Sequence, residues 1–261
     1  YADDRLYVAN TDGDLLTLDA ASGREIDRIE TDQPLSSTPA VGDNSIAVGT
    51  LDGKLLVYAL DTGAERFSVQ LTSEVIAAPA IAEGRVFVRS HDGRIAAYDL
   101  ADGSRAWIQE HTVPPLSLRG NSALKYDRGY LIVGHDDGLL VALRADNGNP
   151  VWQQQVGLSE GRTDLERLSD VDGDIAIADG YVYAVGFDGQ AMAVDIASGN
   201  PLWARDLSAV NGIAYGEQLF VSDAQGHVLA LDRFSGGALW TQQALEHRRL
   251  STPAVVGEYV A

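Results

Sequence analysis

Six stretches of the chain are versions of one phrase, and that phrase constrains the fold more than any other feature. Asp188 to Trp203 reads DGQAMAVDIASGNPLW, Asp137 to Trp152 reads DGLLVALRADNGNPVW, and Asp92 to Trp107 reads DGRIAAYDLADGSRAW. Asp52 to Phe67 (DGKLLVYALDTGAERF), the stretch opening at Asp12 (DGDLLTLDAASGREI) and Gln225 to Trp240 (QGHVLALDRFSGGALW) complete the set. The copies begin at 12, 52, 92, 137, 188 and 225, a period near 40 residues. A sustained period of that size marks a solenoid, a propeller or an array.

Each copy breaks into four short segments. Between Ser37 and Leu71, TPAV (38–41) is followed by a Gly42-Asp43-Asn44 turn, IAVGT (46–50) ends at Asp52-Gly53, KLLVYAL (54–60) stops at Thr62-Gly63, and ERFSVQL (65–71) closes the copy. Segments this short with turns this frequent are strands, not helices. Asp-Gly between two apolar runs predicts a hairpin with a type I′ turn, whose central residues both need positive φ. Four antiparallel strands per period of about 40 residues define the blade of a β-propeller, so the predicted class is all-β. One large flat side chain recurs at a fixed place: Trp107, Trp152, Trp203 and Trp240, with Phe67 in one copy and Ile26 near that place in the first. A bulky ring at one position per blade suits a wedge between neighbouring sheets.

LYVAN (6–10) enters as a second strand, and STPAVVGEYVA (251–261) supplies a first strand and the start of a second. The expectation is a single β-propeller domain over 1–261 that is an incomplete ring, part of a larger propeller. Two neighbouring copies carry insertions, 111–127 (HTVPPLSLRGNSALKYD) and 156–174 (VGLSEGRTDLERLSDVDGD), both after the Trp strand and before the next first strand. Insertions at equivalent junctions project from one face of a propeller, and loops on a rigid scaffold are where function concentrates. Leu116, Leu118, Leu165 and Leu168 beside Arg119, Asp170 and Asp172 leave two readings open, a binding patch and a tolerated surface insertion.

Composition narrows the chemistry. The formal net charge of −19 repels nucleic acid, whose binding relies on clustered Lys and Arg, and gains nothing from an anionic bilayer. The chain has no Cys, so it holds no disulfide, thiolate metal site or Cys nucleophile. No apolar run reaches transmembrane length. Asp170-Val-Asp172-Gly-Asp174 opens like a calcium loop, but Ile175 and Tyr181 stand where an EF-hand needs Gly and Glu. The five histidines (His91, His111, His135, His227, His247) show no metal-ligand spacing and read as surface or turn residues. Neither a catalytic constellation nor a metal site is expected, and no cofactor.

The phrase A-x-D-x-x-[ST/N]-G-x-x-x-W resembles the quinoprotein-type propeller repeat, not WD40 or kelch. LSLRGNSA (116–123) and TDLERLSDVD (163–172) resemble segments of the BamB family, propeller lipoproteins of the bacterial outer-membrane β-barrel assembly machinery (BAM complex). The likeness extends over the whole chain, including LWTQQALEHRRLSTPAV (239–255). The resemblance implies an eight-bladed ring on the periplasmic face of the outer membrane, anchored through a lipidated N-terminal Cys outside this sequence. It implies that Leu116, Leu118, Arg119, Asp170 and Asp172 dock onto a POTRA domain of BamA, the barrel subunit. Its functional implication is a non-enzymatic scaffold that assists folding and insertion of outer-membrane proteins, with exposed sheet edges as a further expected contact for unfolded ones. The alternative is a quinoprotein-type (PQQ-dependent) dehydrogenase, which needs a quinone, a calcium ion and an Asp base. A sensor propeller of a receptor would need a transmembrane helix.

Overall fold

The computed structural model describes residues 1–114, 122–157, 171, 173–209, 211–257 and 259–261. Every regular element among them is a β-strand. The chain divides into two compact units, residues 1–112 with 145–148, and 113–144 with 149–261.

The first unit contains a three-stranded sheet, β1 (Arg5–Ala9), β2 (Asp14–Asp19) and β3 (Glu25–Glu30). Two four-stranded sheets follow: β4 (Ala40–Gly42), β5 (Ser45–Gly49), β6 (Lys54–Ala59) and β7 (Glu65–Gln70), then β8 (Ala80–Ala82), β9 (Arg85–Arg89), β10 (Arg94–Asp99) and β11 (Arg105–Glu110). The second unit contains β12 (Lys125–Asp127), β13 (Tyr130–Gly134), β14 (Leu139–Arg144) and β15 (Pro150–Gln155) in one sheet. Its next sheets are β16 (Ala176–Ala178) to β19 (Pro201–Asp206), with β17 (Tyr181–Val185) and β18 (Gln190–Asp195) between them, and β20 (Ile213–Tyr215), β21 (Leu219–Ser222), β22 (Val228–Leu231) and β23 (Ala238–Gln242). A hairpin of β24 (Val255–Val256) and β25 (Tyr259–Val260) ends it. Within every sheet the strands are antiparallel and adjacent in chain order. These are the blades of a β-propeller.

The two middle strands of a blade are buried on both faces, and their sequence shows why. Successive side chains of a strand point to opposite faces. On β6, Leu55 and Val57 pack toward Val86, Val88 and Ala96 of the following sheet. Leu56 and Tyr58, on the other face, pack with Leu15 and Leu35. In the second unit β18 does the same, Met192 and Val194 packing with Ile132 and Leu140, and Ala191 and Ala193 with Leu219 and Val221. A strand with two buried faces reads as a continuous apolar run, not an alternating one. The fourth strand of each blade has one neighbour and is largely exposed on its outer positions.

The wedge residues are set by a bulge. In every blade the ladder between third and fourth strand slips one residue beside the wedge, as between Ala97↔Trp107 and Tyr98↔Arg105, or Ala193↔Trp203 and Val194↔Pro201. A bulge bends the strand and re-aims a side chain. The indole N–H of Trp107, Trp152 and Trp203 then donates to the carbonyl of Ala145, Ile196 and Arg233 at 2.9, 2.9 and 2.8 Å. Three residues beyond each acceptor stands a glycine, Gly148, Gly199 and Gly236, where a Cβ would lie 2.6, 2.4 and 2.6 Å from the indole. Each of these glycines has φ between +69° and +75°. Phe67 covers Gly103 in the same way. In the first sheet the wedge register falls on Asp27, opposite Thr17. Ile29, not Ile26, covers Gly63, and Ile26 is exposed.

The turns correct one expectation. The Asp-Gly connections are not type I′: Gly13, Gly53, Gly93 and Gly138 have positive φ while Asp12, Asp52, Asp92 and Asp137 do not. Gly53 N donates to Thr50 O, and Thr50 N to Lys54 O, the pattern of a three-residue loop with a left-handed glycine at its end. The two-residue turns with both φ positive lie between first and second strands, at Asp43-Asn44, Glu83-Gly84, Arg128-Gly129 and Asp179-Gly180.

Turns between third and fourth strands carry a repeated carboxylate–serine pair. Hydrogen bonds from Ser22, Ser198 and Ser235 hold Asp19, Asp195 and Asp232 below the ordinary carboxylate range. A depressed folded pKa stabilises the fold above the unfolded Asp value of about 3.9, and that stabilisation is lost as pH falls through the folded value. Ser198→Ala should therefore lower the urea midpoint at neutral pH, and the gap from the parent should narrow below about pH 3.5. A gap that stays constant across that range would contradict the assignment.

Candidate partner-docking site

Leu116, Leu118, Arg119, Asp170 and Asp172, the five site residues expected from sequence, lie outside the described residues, as do Leu165 and Leu168. What the structure does describe is the footing of the insertions that carry them.

The first insertion leaves β11 where His111 N donates to Gly93 O at 3.1 Å. It enters β12 through Ser122 and Leu124, both buried. The second leaves β15 at Val156 and Gly157, whose amides both donate to Gly138 O, at 2.9 and 3.1 Å. Gly157 also bridges to Gly189, and Gln190 N donates to Val156 O at 2.9 Å. The Gln155 side-chain amide spans the start of the insertion, donating to Asp137 O at 3.1 Å and Gly157 O at 2.7 Å. Thus the exit is tied to the Asp-Gly turns of two successive sheets of the second unit.

The return is tied as firmly. Val171 is buried, and its amide donates to His135 O at 3.3 Å. A Cβ at Gly134 would lie 2.2 Å from Val171 O, so the backbone approach there admits only glycine. Asp174 then pairs in parallel with Gly212, and Ile213 N donates to Asp174 O at 2.9 Å. Ile175 turns into the core beside Val156 and Val182. Beneath this footing, His135 and Asp136 are 2% and 3% exposed. His135 is thus a turn residue, but a buried one. Sequence reasoning missed it because a histidine beside two acids and a glycine reads as a solvated turn. His227, by contrast, is a turn residue paired with Asp223 at 2.9 Å.

Gly212 offers a direct probe of the footing. Its φ is +86°, and a Cβ would meet Asp174 N at 2.1 Å. Gly212→Ala should cost more than about 1 kcal/mol of stability and speed amide exchange at Asp174 and Ile213. Unchanged exchange at both would show that the bridge does not hold the insertion.

Among the described residues no three His, Asp or Glu side chains gather as a metal site. Arg94 is spent on Asp92 and, at 2.9 Å, on Glu110.

Antiparallel blades carrying indole wedges, with two insertions that each follow the fourth strand of a blade, define a quinoprotein-type β-propeller. Residues 11–242 match the family model described as "Outer membrane protein assembly factor BamB", and the chain belongs to that family. The protein of that name from Xanthomonas campestris pv. campestris is 42% identical over 147 residues, 56% of this chain and 36% of the relative. The Escherichia coli protein is 38% identical over 144 residues, 55% of this chain and 37% of the relative. The matched stretches therefore span little more than a third of those relatives' lengths. The crystal structure of BamB from Moraxella catarrhalis superposes with a TM-score of 0.89 at 28% identity, over 98% of this chain and 78% of that one. A europium-containing methanol dehydrogenase superposes with a TM-score of 0.72 at 12% identity over 92% of this chain and 69% of that one, which is a likeness of fold alone.

Proposed function

We propose that the chain is a non-enzymatic scaffold of the outer-membrane β-barrel assembly machinery, working at the periplasmic face of the outer membrane on a lipid anchor. It binds the periplasmic POTRA region of BamA and thereby assists folding and insertion of outer-membrane proteins. The observation that carries this reading is the footing of the second insertion in a chain of this family. Val156, Gly157, Val171 and Asp174 are bonded to three different strand ends or turns, so both ends of the insertion are anchored. Fixing the two ends of a segment before binding reduces the freedom it loses on docking.

Leu116, Leu118 and Arg119 on the first insertion, with Asp170 and Asp172 on the second, are the proposed contact. Leu116 and Leu118 flank Ser117, and in an extended segment both face one way. Arg119 offers a planar fork of donors that carboxylates accept in pairs. An apolar centre with a polar rim is ordinary interface anatomy. The outer strands β7, β11, β15 and β19 each pair with a single neighbour, which supports strand addition by unfolded outer-membrane proteins as a second, weaker contact.

The experiment is co-purification of the tagged chain with BamA from outer-membrane extract. The expected result is BamA retained by the parent chain and lost when Arg119 is changed to Ala. Failure of the parent to retain BamA would overturn the proposal.

A further inference from the structure

Between the sheet that ends in β7 and the sheet of β8 to β11 lies a groove of about 320 Å³. Both sheets are complete, each with four strands. Alternate residues of β10 share a face, and the register sets three rows of side chains along the floor. Arg94 stands opposite Glu110, Ala96 stands between Val88 and Ile108, and Tyr98 stands opposite Arg105, one step past the bulge. All of them line the groove, and Leu71 and Thr72, just beyond the end of β7, form the facing wall. The middle row is apolar: Val88 and Ala96 belong to the core cluster on which Leu71 packs, and Ile108 is 41% exposed.

The two polar rows differ in what they already hold. At one end Arg94 is committed: its Nε donates to Glu110 at 2.9 Å, and its Nη1 pairs with Asp92 and donates to the Thr72 hydroxyl at 3.1 Å. Thr72 in turn donates to Asp92 at 2.7 Å, which stitches this end of the groove across the two sheets. At the other end, neither the Tyr98 hydroxyl nor the Arg105 guanidinium makes a hydrogen bond or ion pair among the described residues. Tyr98 is only 5% exposed, and a hydroxyl on so buried a side chain ordinarily has a partner. Burial raises this phenol above its ordinary pKa, with the Arg105 charge acting against the rise, so at neutral pH it keeps its proton and donates. No other described sheet repeats the pair. The same register holds Glu25 opposite Leu18, Glu65 opposite Tyr58, Pro150 opposite Leu143, Pro201 opposite Val194 and Ala238 opposite Leu231.

We propose that this groove binds a small monocarboxylate with an apolar body. The carboxylate lies between Tyr98 and Arg105, accepting from the phenol O–H and from the planar fork of guanidinium N–H groups. The body lies along the row of Val88, Ala96 and Ile108, about 7 Å from the Tyr98 row along β10. The groove is at the small end of the range for ligand pockets, which suits a compact molecule. A second carboxylate at the far end of the ligand would face Glu110, whose arginine is already committed, so the site discriminates against dicarboxylates.

Titration of 3-phenylpropanoate into the full chain, followed by the NMR shifts of its amides, tests this. Saturable shifts should centre on Ala96, Tyr98, Arg105 and Ile108. The neutral counterpart 3-phenylpropan-1-ol and the dicarboxylate 4-(2-carboxyethyl)benzoate should each bind at least tenfold more weakly. Tyr98→Phe and Arg105→Gln should each weaken binding of 3-phenylpropanoate at least fivefold. The first removes only an unbonded hydroxyl and the second alters an exposed side chain, so both should keep the parent's thermal midpoint. Absence of saturable shifts, shifts centred elsewhere, an alcohol bound as tightly as the carboxylate, or variants that bind like the parent would each overturn the proposal.

Discussion

Replacing Trp203 by alanine is expected to lower the unfolding free energy by about 3–5 kcal/mol. Trp203 is 9% exposed, contacts Gly236, tilts against Tyr183 with 6.4 Å between ring centroids, and gives its N–H to Arg233 O. Truncation opens a cavity between two sheets and strips a hydrogen bond at the same time, and neither sheet can close the gap without moving its ladder. For a chain of this size the thermal midpoint should fall by on the order of 10 °C. Trp203→Phe keeps most of the packing and loses the donor, so its cost should be about 1–2 kcal/mol. Trp240→Ala is the internal control: the residue is 42% exposed and its N–H is unpaired among the described residues, so the cost to this chain should be about 1 kcal/mol or less. Equal losses at Trp203 and Trp240 would refute the view that the wedge acts by being covered.

The second large effect concerns the proposed docking surface. Leu118→Ala, Arg119→Ala, and Asp170 and Asp172 changed together to Ala should each cost roughly 2 kcal/mol or more of binding to the BamA periplasmic region, about thirtyfold in Kd. Their thermal midpoints should match the parent, because Val171, Asp174 and Ile175 hold the footing through backbone bonds and core packing. Leu116→Ala is expected to follow Leu118→Ala with the same sign. Loss of binding that tracks loss of thermal stability would point instead to a damaged frame.

The blades were visible in the sequence because they repeat. A period near 40 residues, apolar runs on the middle strands and one aromatic per copy are local and redundant signals, so an irregularity in one copy is outvoted by the rest. Features that depend on how two segments meet were not visible. Asp-Gly predicts a type I′ turn by itself, but at Gly13, Gly53, Gly93 and Gly138 only the glycine takes positive φ, and at Asp188-Gly189 only the aspartate does. The spacing of acceptor and glycine under each wedge appears in the sequence only after the bulge shows which face the indole takes. Ile26 lies near the wedge place by alignment, yet Ile29 is the residue that covers Gly63: alignment counts residues, while the bulge decides orientation. At the candidate site the sequence marked the two insertions by length and gave no sign of their footing. That footing rests on backbone groups of His135, Gly138, Gly189 and Gly212, and a carbonyl or an amide leaves no residue-type signature.

The most direct measurement is a calorimetric titration of the purified BamA periplasmic region into the chain and into its Arg119→Ala form, both verified as folded by circular dichroism. The proposed scaffold role predicts saturable binding to the parent and at least a thirtyfold weaker Kd for the variant. No binding by the parent, or equal binding by both, would contradict it.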